Sequence, residues 1–298
     1  MTGVRRRAPE VEPPWSAAEV SALAARFDLK RVDIPPGFAR YLRQVWTRRA
    51  FIAELASAKA YERNQNTFLG QLWAALDPLL LAGSYFLIFG VLLDTSKGVT
   101  NFAGFLCVGI FIFMFIASSA TRGAKSVSSN LAMVRSLRFP RAALPISAVL
   151  AEFLMLLPAI AVLAILLPIV GEPPQWKWLL VPAAMILLFC FCAGLAMVCA
   201  RVVLDVRDAA NLIPVSVRLL RYVSGVFFSI EAYAGDSLVG LIMQFQPVGL
   251  FLHLIRSCLL TEVPQNPVLW LWAAAWALVF TTVGALAFWK AEGRYGRG

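Results

Sequence analysis

The sequence predicts an all-α integral membrane protein with six transmembrane helices. Of its 298 residues, 60% are hydrophobic and 15% are charged, and the mean hydropathy is +0.73. This composition excludes a soluble globular protein. Apolar windows of about 20 residues, the length that a helix needs to cross the hydrocarbon core, recur along the chain. They lie at 71–93, 102–120, 143–170, 178–200, 212–230 and 268–289, so that 67–290 is predicted to form a six-span transmembrane domain.

The chain before the first span is expected to contain two regions. Residues 1–35 are rich in charge and proline and are predicted to be a mostly disordered cytoplasmic extension, with a short helix over 17–30 opened by the capping-box pair Ser16 and Glu19. Residues 36–66 are predicted to form an amphipathic helix in the membrane interface. A helix packed on a cytoplasmic neighbour is the alternative. The apolar face consists of Phe38, Tyr41, Leu42, Val45 and Trp46.

Lysine and arginine are distributed unevenly among the predicted loops. Twelve precede the first span and five lie in 121–141, whereas 94–101 and 171–177 contain one each. Since Lys and Arg near span ends are retained on the cytoplasmic side, this alternation predicts a multi-pass protein of the plasma membrane with both termini, including the tail 291–298, in the cytoplasm.

The apolar segments within 232–263 are each too short to cross a membrane. A single broken helix over 237–260 would make seven spans and place the basic C-terminus outside, against the charge distribution. Two short helices that enter the outer leaflet and return preserve the orientation, provided that their ends are buried in protein. We therefore expect a re-entrant outer hairpin between spans five and six.

Four segments resemble the membrane subunit of type-2 ABC transporters. They read NTFLGQLWAALDPLL at 66–80, LRFPRAALPISAVLAEF at 137–153, VRDAANLIPVSVRLLRYVSGVFFS at 206–229 and QPVGLFLHLIRSCLL at 246–260. The resemblance covers about residues 36 to 290 and is strongest to the polysaccharide-export branch, which moves O-antigen, teichoic acid and related polymers. The arginine-rich, proline-containing extension and the alanine-rich composition are most similar to the galactan exporters of mycobacterial cell walls.

The resemblance implies a permease subunit that works as a homodimer with two copies of a separate cytoplasmic ABC ATPase. The chain has no G-x-x-x-x-G-K-[ST] phosphate loop, so ATP and Mg²⁺ are expected on the partner and no cofactor on this chain. The substrate would be a polysaccharide, galactan or O-antigen-like, linked to polyprenyl diphosphate. Membrane lipids are expected as neighbours and nucleic acid is not. A permease for teichoic acid, another lipid or a drug is the alternative.

The basic segment 121–141 lies where the family has its first coupling helix, which transmits the movement of the ATPase. We expect a helix over 128–139 with an apolar ridge flanked by arginines, ended by Pro140. A basic loop that binds lipid headgroups is the alternative. A second contact is expected at 201–211. The predicted coupling residues are Leu131, Val134, Arg135, Leu137, Arg138, Arg141, Arg201, Asp205, Arg207 and Asp208.

Arg218 and Arg221 lie three residues apart inside the fifth predicted span, so on a helix they project to the same side. Arginine within a span faces water, snorkels to the headgroups or binds an anion. Two guanidinium groups suit a diphosphate, because each can donate bidentately. We expect these residues to bind the diphosphate headgroup of the substrate, with snorkelling as the alternative.

Aromatic side chains are predicted to line the export pathway, since the faces of sugar rings pack on aromatic faces. The family builds its pathway from the first, second and fifth spans of both copies. On these spans the chain carries Tyr85, Phe86, Phe89, Phe105, Phe111, Phe113, Phe115, Tyr222, Phe227 and Phe228. Not all ten can face inward, and lipid contact or packing between helices is the alternative.

Two other function classes fit the sequence less well than an ABC transporter. A membrane-embedded polyprenyl-phosphate glycosyltransferase needs acidic metal ligands at a cytoplasmic loop, where only Asp205 and Asp208 could serve, and Arg201 and Arg207 favour a salt-bridged turn there. An ion-coupled carrier would show repeated halves and unpaired charges at mid-membrane. No halves repeat, and Glu152 is the clear acid inside a span.

Overall fold

The structure, a computed structural model, describes residues 16–26, 37–63, 70–93, 98–137, 139–234 and 237–292. All regular secondary structure within these ranges is helical. The helices are α1 (Ala17–Arg26), α2 (Phe38–Thr47), α3 (Arg49–Glu62), α4 (Trp73–Tyr85), α5 (Phe102–Lys125), α6 (Leu131–Ser136), α7 (Ala143–Ile169), α8 (Val181–Asp205), α9 (Ala209–Val223), α10 (Ile230–Ala234), α11 (Leu238–Phe245), α12 (Pro247–Leu259) and α13 (Pro267–Ala291). The predicted all-α fold is confirmed.

Five helical segments in the described part of the chain are long and apolar enough to cross a membrane. They are Trp73–Leu92, Phe102–Lys125, Ala143–Ile169, Trp176–Asp205 and Pro267–Ala291. The first joins α4 to a π-helical stretch at Phe86–Leu92, and the fourth joins a 3₁₀ turn at Trp176–Leu180 to α8. Each contains most of one predicted apolar window, so the multi-pass membrane character is confirmed.

The segment predicted as a fifth span, 212–230, is divided in the structure. Its helix α9 has 15 residues, which is about 22 Å of helix against the roughly 30 Å of a hydrocarbon core. Gly225 follows with φ +69°, a left-handed conformation that ends the helix. The chain then turns before the short helix α10. The count of six spans stays a prediction, and a single continuous helix over 212–230 does not form.

Helix α5 is the centre of the bundle. It packs against α4, α7, α8, α9 and α12, and its buried side chains include Leu106, Phe111 and Ile112. A helix that is apolar on all sides is suited to such a position. Asn101 starts it by accepting a hydrogen bond from the Gly104 amide at 3.0 Å.

Two glycines bring α8 and α13 into close contact. A Cβ atom at Gly194 would overlap the backbone of Phe280 and Thr281, and one at Gly284 would lie 2.8 Å from the carbonyl oxygen of Gly194. Because both positions lack a side chain, the two backbones pack directly on each other.

The amphipathic region before the first span forms two helices, α2 and α3, instead of one. On the predicted apolar face, Tyr41 is buried and Phe38 packs on Trp289, whose ring centroid lies 5.7 Å away. Leu42 and Trp46 remain exposed, Trp46 by 70%. The bundle therefore covers one part of the face, and the exposed part is available to a membrane interface.

The predicted short helix near the N-terminus occupies Ala17–Arg26. Ser16 and Glu19 form reciprocal hydrogen bonds: the Ser16 amide donates to Glu19 Oε2 at 2.8 Å, and the Glu19 amide donates to Ser16 Oγ at 3.3 Å. The hydrogen bonds from Ser16 hold the pKa of the Glu19 carboxyl below its usual value.

The region 232–263 contains the end of α10 together with α11 and α12, which meet at Gln246 and Pro247. Helix α11 exposes Leu238 and Ile242, whereas α12 is buried along most of its length. Two short helices were predicted here, but their path relative to a membrane stays a prediction.

Two carboxylates join three loops at the end of the bundle where α5 begins. Glu262 accepts hydrogen bonds from the amides of Thr100 and Asn101, both at 2.8 Å. Glu172 accepts from the amide and hydroxyl of Thr261 at 2.8 and 2.9 Å, and from the Asn101 side chain at 3.2 Å. We call these five residues the loop network. The opposite end of the bundle, where α5 ends at Lys125, is called the basic end.

Candidate functional site

A cavity of about 480 Å³ opens between α4, α5, α7 and α9, near the basic end. We call it the arginine cavity, because four arginines from three segments line it. Two carboxylates and several aromatic or apolar side chains complete its wall. Its charged and aromatic lining residues are Arg63, Trp73, Asp77, Phe111, Phe115, Arg122, Glu152, Arg218 and Arg221.

The two predicted headgroup residues lie together on this cavity. Arg221 donates from Nη1 to the Tyr85 hydroxyl at 3.4 Å, and its guanidinium carbon lies 5.2 Å from the centre of the Phe113 ring. Arg218 donates from Nε to the Pro214 carbonyl at 3.4 Å and is otherwise exposed. The three-residue spacing therefore places both side chains at one cavity, as expected, while their role in binding stays a prediction.

Sequence reasoning missed an ion triad that also lines this cavity. Glu152, only 7% exposed, is 3.0 Å from Arg63 Nη1 through Oε2 and 3.0 Å from Arg122 Nε through Oε1. A buried carboxylate within a span requires cationic partners, so Glu152 was a signal that such partners exist. Their identity was not readable, because Arg63 lies 89 positions away along the chain. We call Arg63, Glu152 and Arg122 the triad.

The cavity carries a positive charge. Its four arginines face two carboxylates, Glu152 and Asp77, which leaves a net charge of +2. Asp77 lies on the first span and was not singled out from the sequence. Apart from Ser118 and Thr121, the remaining wall is aromatic and apolar, so an anion in this cavity would be only partly screened by water.

A second cavity of about 640 Å³ lies on the other side of the triad. We call it the vestibule. Arg63, Arg122 and Glu152 line both cavities, and Lys59, Glu62, Lys125, Ser129 and Asn130 are among the other residues of the vestibule. Burial lowers the pKa of Lys59, an effect opposed by the nearby charge of Glu62. The triad thus forms part of the wall of both the arginine cavity and the vestibule, which lies beside the segment that leads to α6.

The ten predicted pathway aromatics are dispersed over several environments. Phe111 and Phe115 line the arginine cavity, and Phe228 lines a smaller cavity of about 210 Å³ beside α12. Tyr85, Phe89 and Tyr222 surround Phe227, with ring centroids 4.5, 4.9 and 5.6 Å from it. Phe86 is exposed, and Phe105 and Phe113 are buried in contact with arginines. Their role in a pathway stays a prediction.

The predicted coupling segment forms a shorter helix than expected. A 3₁₀ turn at Ser128–Asn130 precedes α6. Leu131 and Leu137 are exposed, but Val134 packs partly against the bundle, so the expected apolar ridge is incomplete. Arg135 is exposed, and Arg138 lies outside the described residues.

Arg141 is the last of the predicted coupling residues near α6, and it is hydrogen-bonded to Glu292 of the same chain. Its Nη1 donates to the Glu292 carbonyl at 3.3 Å, and its amide donates to Glu292 Oε1 at 3.4 Å. Burial raises the pKa of the Glu292 carboxyl, and Arg141 opposes this effect. Arg141 therefore joins the start of α7 to the end of α13.

The second expected contact, 201–211, is the end of α8 and the start of α9. Arg201 and Asp205 form a salt bridge of 2.8 Å, as the mixed charges predicted. Arg207 and Asp208 are exposed at the turn between the helices. The contact of this turn with an ATPase stays a prediction.

Another arginine that the sequence did not single out, Arg256, stabilises the break after α9. Arg256, 4% exposed, donates from Nε to the Phe105 carbonyl at 3.2 Å, from Nη1 to that of Gly225 at 2.7 Å and from Nη2 to that of Val226 at 2.9 Å. Its guanidinium carbon lies 3.4 Å from the centre of the Phe105 ring. The carbonyls of Gly225 and Val226 are buried in the break, outside any helix, so the arginine replaces their missing backbone partners.

Known proteins similar to this chain are membrane components of transporters. Residues 54–260 match the family described as ABC-2 type transporter. The O-antigen export system permease protein RfbA of Myxococcus xanthus is 26% identical over 212 residues, which cover 70% of this chain and 80% of the relative. Two RfbA proteins of Klebsiella pneumoniae are each 29% identical over 168 residues, covering 56% of this chain and 64% of the relative. The triad, Arg218 and Arg221 all lie within the matched range.

Proposed function

Since the chain belongs to the ABC-2 type transporter family, we propose that it is the permease subunit of an ATP-driven exporter of polysaccharide. The substrate is an O-antigen-like polymer or a cell-wall galactan, carried on polyprenyl diphosphate and moved from the cytoplasm across the inner membrane. The similarity to O-antigen export permeases supports the substrate class. The resemblance of the N-terminal extension to that of galactan exporters supports cell-wall galactan as the polymer.

The working unit in this proposal contains two copies of the chain and two copies of a separate ATPase. ATP and Mg²⁺ bind to the ATPase, and this chain provides the membrane pathway. The basic end faces the cytoplasm, because the loops there carry most of the Lys and Arg between the spans. A substrate that enters from the cytoplasm would therefore meet the end of the bundle that holds the arginine cavity.

The observation that carries the proposal is the chemistry of this cavity. It combines a net positive charge with the aromatic rings of Phe111, Phe115 and Trp73. A lipid-linked sugar offers both matching groups, since its diphosphate is an anion and its sugar rings have C–H faces that pack on aromatic rings. Arg218 and Arg221 would hold the diphosphate.

We expect the double substitution Arg218→Lys with Arg221→Lys to reduce export of lipid-linked polymer about tenfold. Lysine keeps the charge but loses the bidentate fork, and a charge-assisted hydrogen bond contributes on the order of 1.5–3 kcal/mol. Polymer exported per transporter should be measured in cells that depend on this permease, together with the amount of permease in the membrane.

Arg40→Lys with Arg43→Lys is the matched control for this experiment. These two arginines have the same spacing on α2, and both are exposed, so export should be unchanged. Full export by the Arg218→Lys, Arg221→Lys protein would mean that the two side chains only snorkel to the headgroups, and the diphosphate site would be wrong.

We expect Phe115→Leu to lower export several-fold and Phe115→Tyr to preserve it. Leucine is apolar but has no ring face for a sugar, whereas tyrosine keeps the face. Phe251→Leu is the control, because Phe251 is buried on α12 away from the arginine cavity. Equal export by both leucine variants, at equal amounts in the membrane, would remove Phe115 from the proposed pathway.

A further inference from the structure

We infer that the triad is a second phosphate-binding site, in which Glu152 is an exchangeable partner that an incoming phosphate replaces. The inference rests on the proposed function, because it requires a phosphate-bearing amphiphile to enter the arginine cavity. It assigns a binding role to Arg63 and Arg122 and a competing role to Glu152. The two binding sites would line one cavity, the triad on the side of α5 and α7 and the arginine pair on α9.

The charges of the triad are not balanced. One carboxylate serves two guanidinium groups, so the triad carries a net charge of +1. A phosphate or diphosphate carries more negative charge than a carboxylate and offers more acceptor oxygens. It can therefore satisfy both arginines more completely than Glu152 does.

The hydrogen bonds of the triad leave donors unused. Arg63 reaches both carboxylate oxygens, at 3.2 and 3.0 Å, with the single nitrogen Nη1. Arg122 approaches Glu152 Oε1 with Nε at 3.0 Å. A guanidinium group can instead offer two parallel donors to one anion. Both arginines could thus bind a second anion without first losing all contact with Glu152.

The exposure of the three side chains is also compatible with the replacement of Glu152 by an incoming phosphate. Glu152 is 7% exposed, whereas the side chains of Arg63 and Arg122 are 33% and 50% exposed. The carboxylate lies beneath two arginines that a ligand can reach from outside. If an anion drew the guanidinium groups toward itself, their partial exposure would keep the cost of desolvation low.

The triad lies where a phosphate would pass from the vestibule to the arginine cavity. The residues of the triad line both the vestibule and the arginine cavity, and in this inference their ion pairs close the route between the two. A phosphate that arrives through the vestibule meets Arg63 and Arg122 before it can reach Arg218 and Arg221. Replacement of Glu152 by that phosphate separates α3 from α7 at this point, since Arg63 follows α3 and Glu152 belongs to α7. The ligand would thus open the route that it uses.

Binding of a defined probe to the purified full-length chain, in nanodiscs of neutral lipid, tests the inference. The probe is geranylgeranyl diphosphate, and geranylgeraniol measures the contribution of the isoprenoid chain. We expect Glu152→Gln to bind the diphosphate about tenfold more tightly than the natural chain, because the competing anion is removed. Glu62→Gln removes the same charge from the vestibule without an ion pair to either arginine and should change the affinity less than twofold.

A triad with a purely structural role gives the opposite result. Glu152→Gln would then bind the probe no better than the natural chain, with a lowered melting temperature, and the inference would be wrong. If this variant cannot be purified, Arg122→Gln decides: weaker binding of the diphosphate supports the inference, and unchanged binding overturns it. Arg122 is half exposed, so this change is compatible with folding.

Two further comparisons separate the inference from the proposed function. Equal binding of geranylgeranyl diphosphate and geranylgeraniol by the natural chain would overturn both. Weaker diphosphate binding by the Arg218→Lys, Arg221→Lys protein, together with unchanged binding by Glu152→Gln, would preserve the proposed function and overturn the inference alone. Phosphatidylglycerol in the nanodisc tests the source of the phosphate: if it competes with the probe, the triad binds phospholipid headgroups as well.

Discussion

Replacing Arg256 with leucine is expected to prevent accumulation of folded protein in the membrane. The change removes the donors for the carbonyls of Phe105, Gly225 and Val226, all in the buried centre of the chain. The Phe105 carbonyl lies within α5 and keeps its helical partner. Each of the other two becomes a buried acceptor without a partner, at a cost of roughly 1–3 kcal/mol, so together they cost several kcal/mol. Any variant that folds should melt on the order of 10 °C below the natural chain, since 1 kcal/mol corresponds to about 2–4 °C in a domain of this size. Fluorescence-detected melting in detergent measures the shift.

Two glycine-to-alanine variants test the same prediction, one expected to destabilise the protein and one serving as a control. A Cβ atom at Gly109 would collide with the Arg256 guanidinium group, so Gly109→Ala should reproduce the loss. Gly83 lies on the first span with no other atom within 4 Å of an added Cβ, so Gly83→Ala should leave the melting temperature nearly unchanged. A stable Arg256→Leu protein would show that the break after α9 holds without the arginine.

Reversing two charges beside α6, Arg135→Glu with Arg138→Glu, is expected to abolish export and to uncouple ATP hydrolysis. The change gives the exposed Arg135 and its neighbour in sequence Arg138 a negative charge, and like-charge contacts at a docking surface cost several kcal/mol. The permease should still insert, because neither residue lies in an apolar span. Export and ATP hydrolysis by the reconstituted complex, and recovery of the ATPase with the tagged permease, are the measurements.

The same reversal on α2, Arg40→Glu with Arg43→Glu, is the matched control for the coupling experiment. It adds equal charge to another exposed basic surface and should leave the ATPase bound. Unchanged recovery of the ATPase and unchanged stimulation of its activity by the Arg135→Glu, Arg138→Glu protein would contradict a coupling role for α6.

The membrane fold could be predicted because the relevant signal is local. The windows at 102–120, 143–170, 178–200 and 268–289 each became a long helix, since uninterrupted apolar length decides whether a helix crosses. The resemblance to polysaccharide-export permeases of the type-2 ABC family, carried by short motifs in order along the chain, is likewise confirmed.

The divided segment at 212–230 could not be predicted, because its cause is distant in the sequence. Arg256 contacts Gly225 from 31 positions away and Phe105 from 151. In the window itself, Gly225 was the one local sign of a break, and a glycine inside an apolar run is also common in unbroken spans.

The candidate site shows the same division between local and distant information. The spacing of Arg218 and Arg221 is a property of one helix, and it predicted their common side. The triad joins the end of α3, the end of α5 and the middle of α7, and only the folded chain brings these together. A buried acid such as Glu152 indicates that it has cationic partners, but the sequence does not show which of the 27 lysines and arginines they are.

The loop network has a mechanical consequence for the chain. Glu172 and Glu262 join the loops at which α5 and α13 begin and α7 and α12 end. At the basic end, the arginine cavity and the vestibule open beside α5 and α7, and the contacts there include the ion pairs of the triad. The loops at the far end are therefore joined through hydrogen bonds, whereas ion pairs that an anion can exchange lie at the end with the cavities. A push on α6 acts at this exchangeable end, far from the loop network.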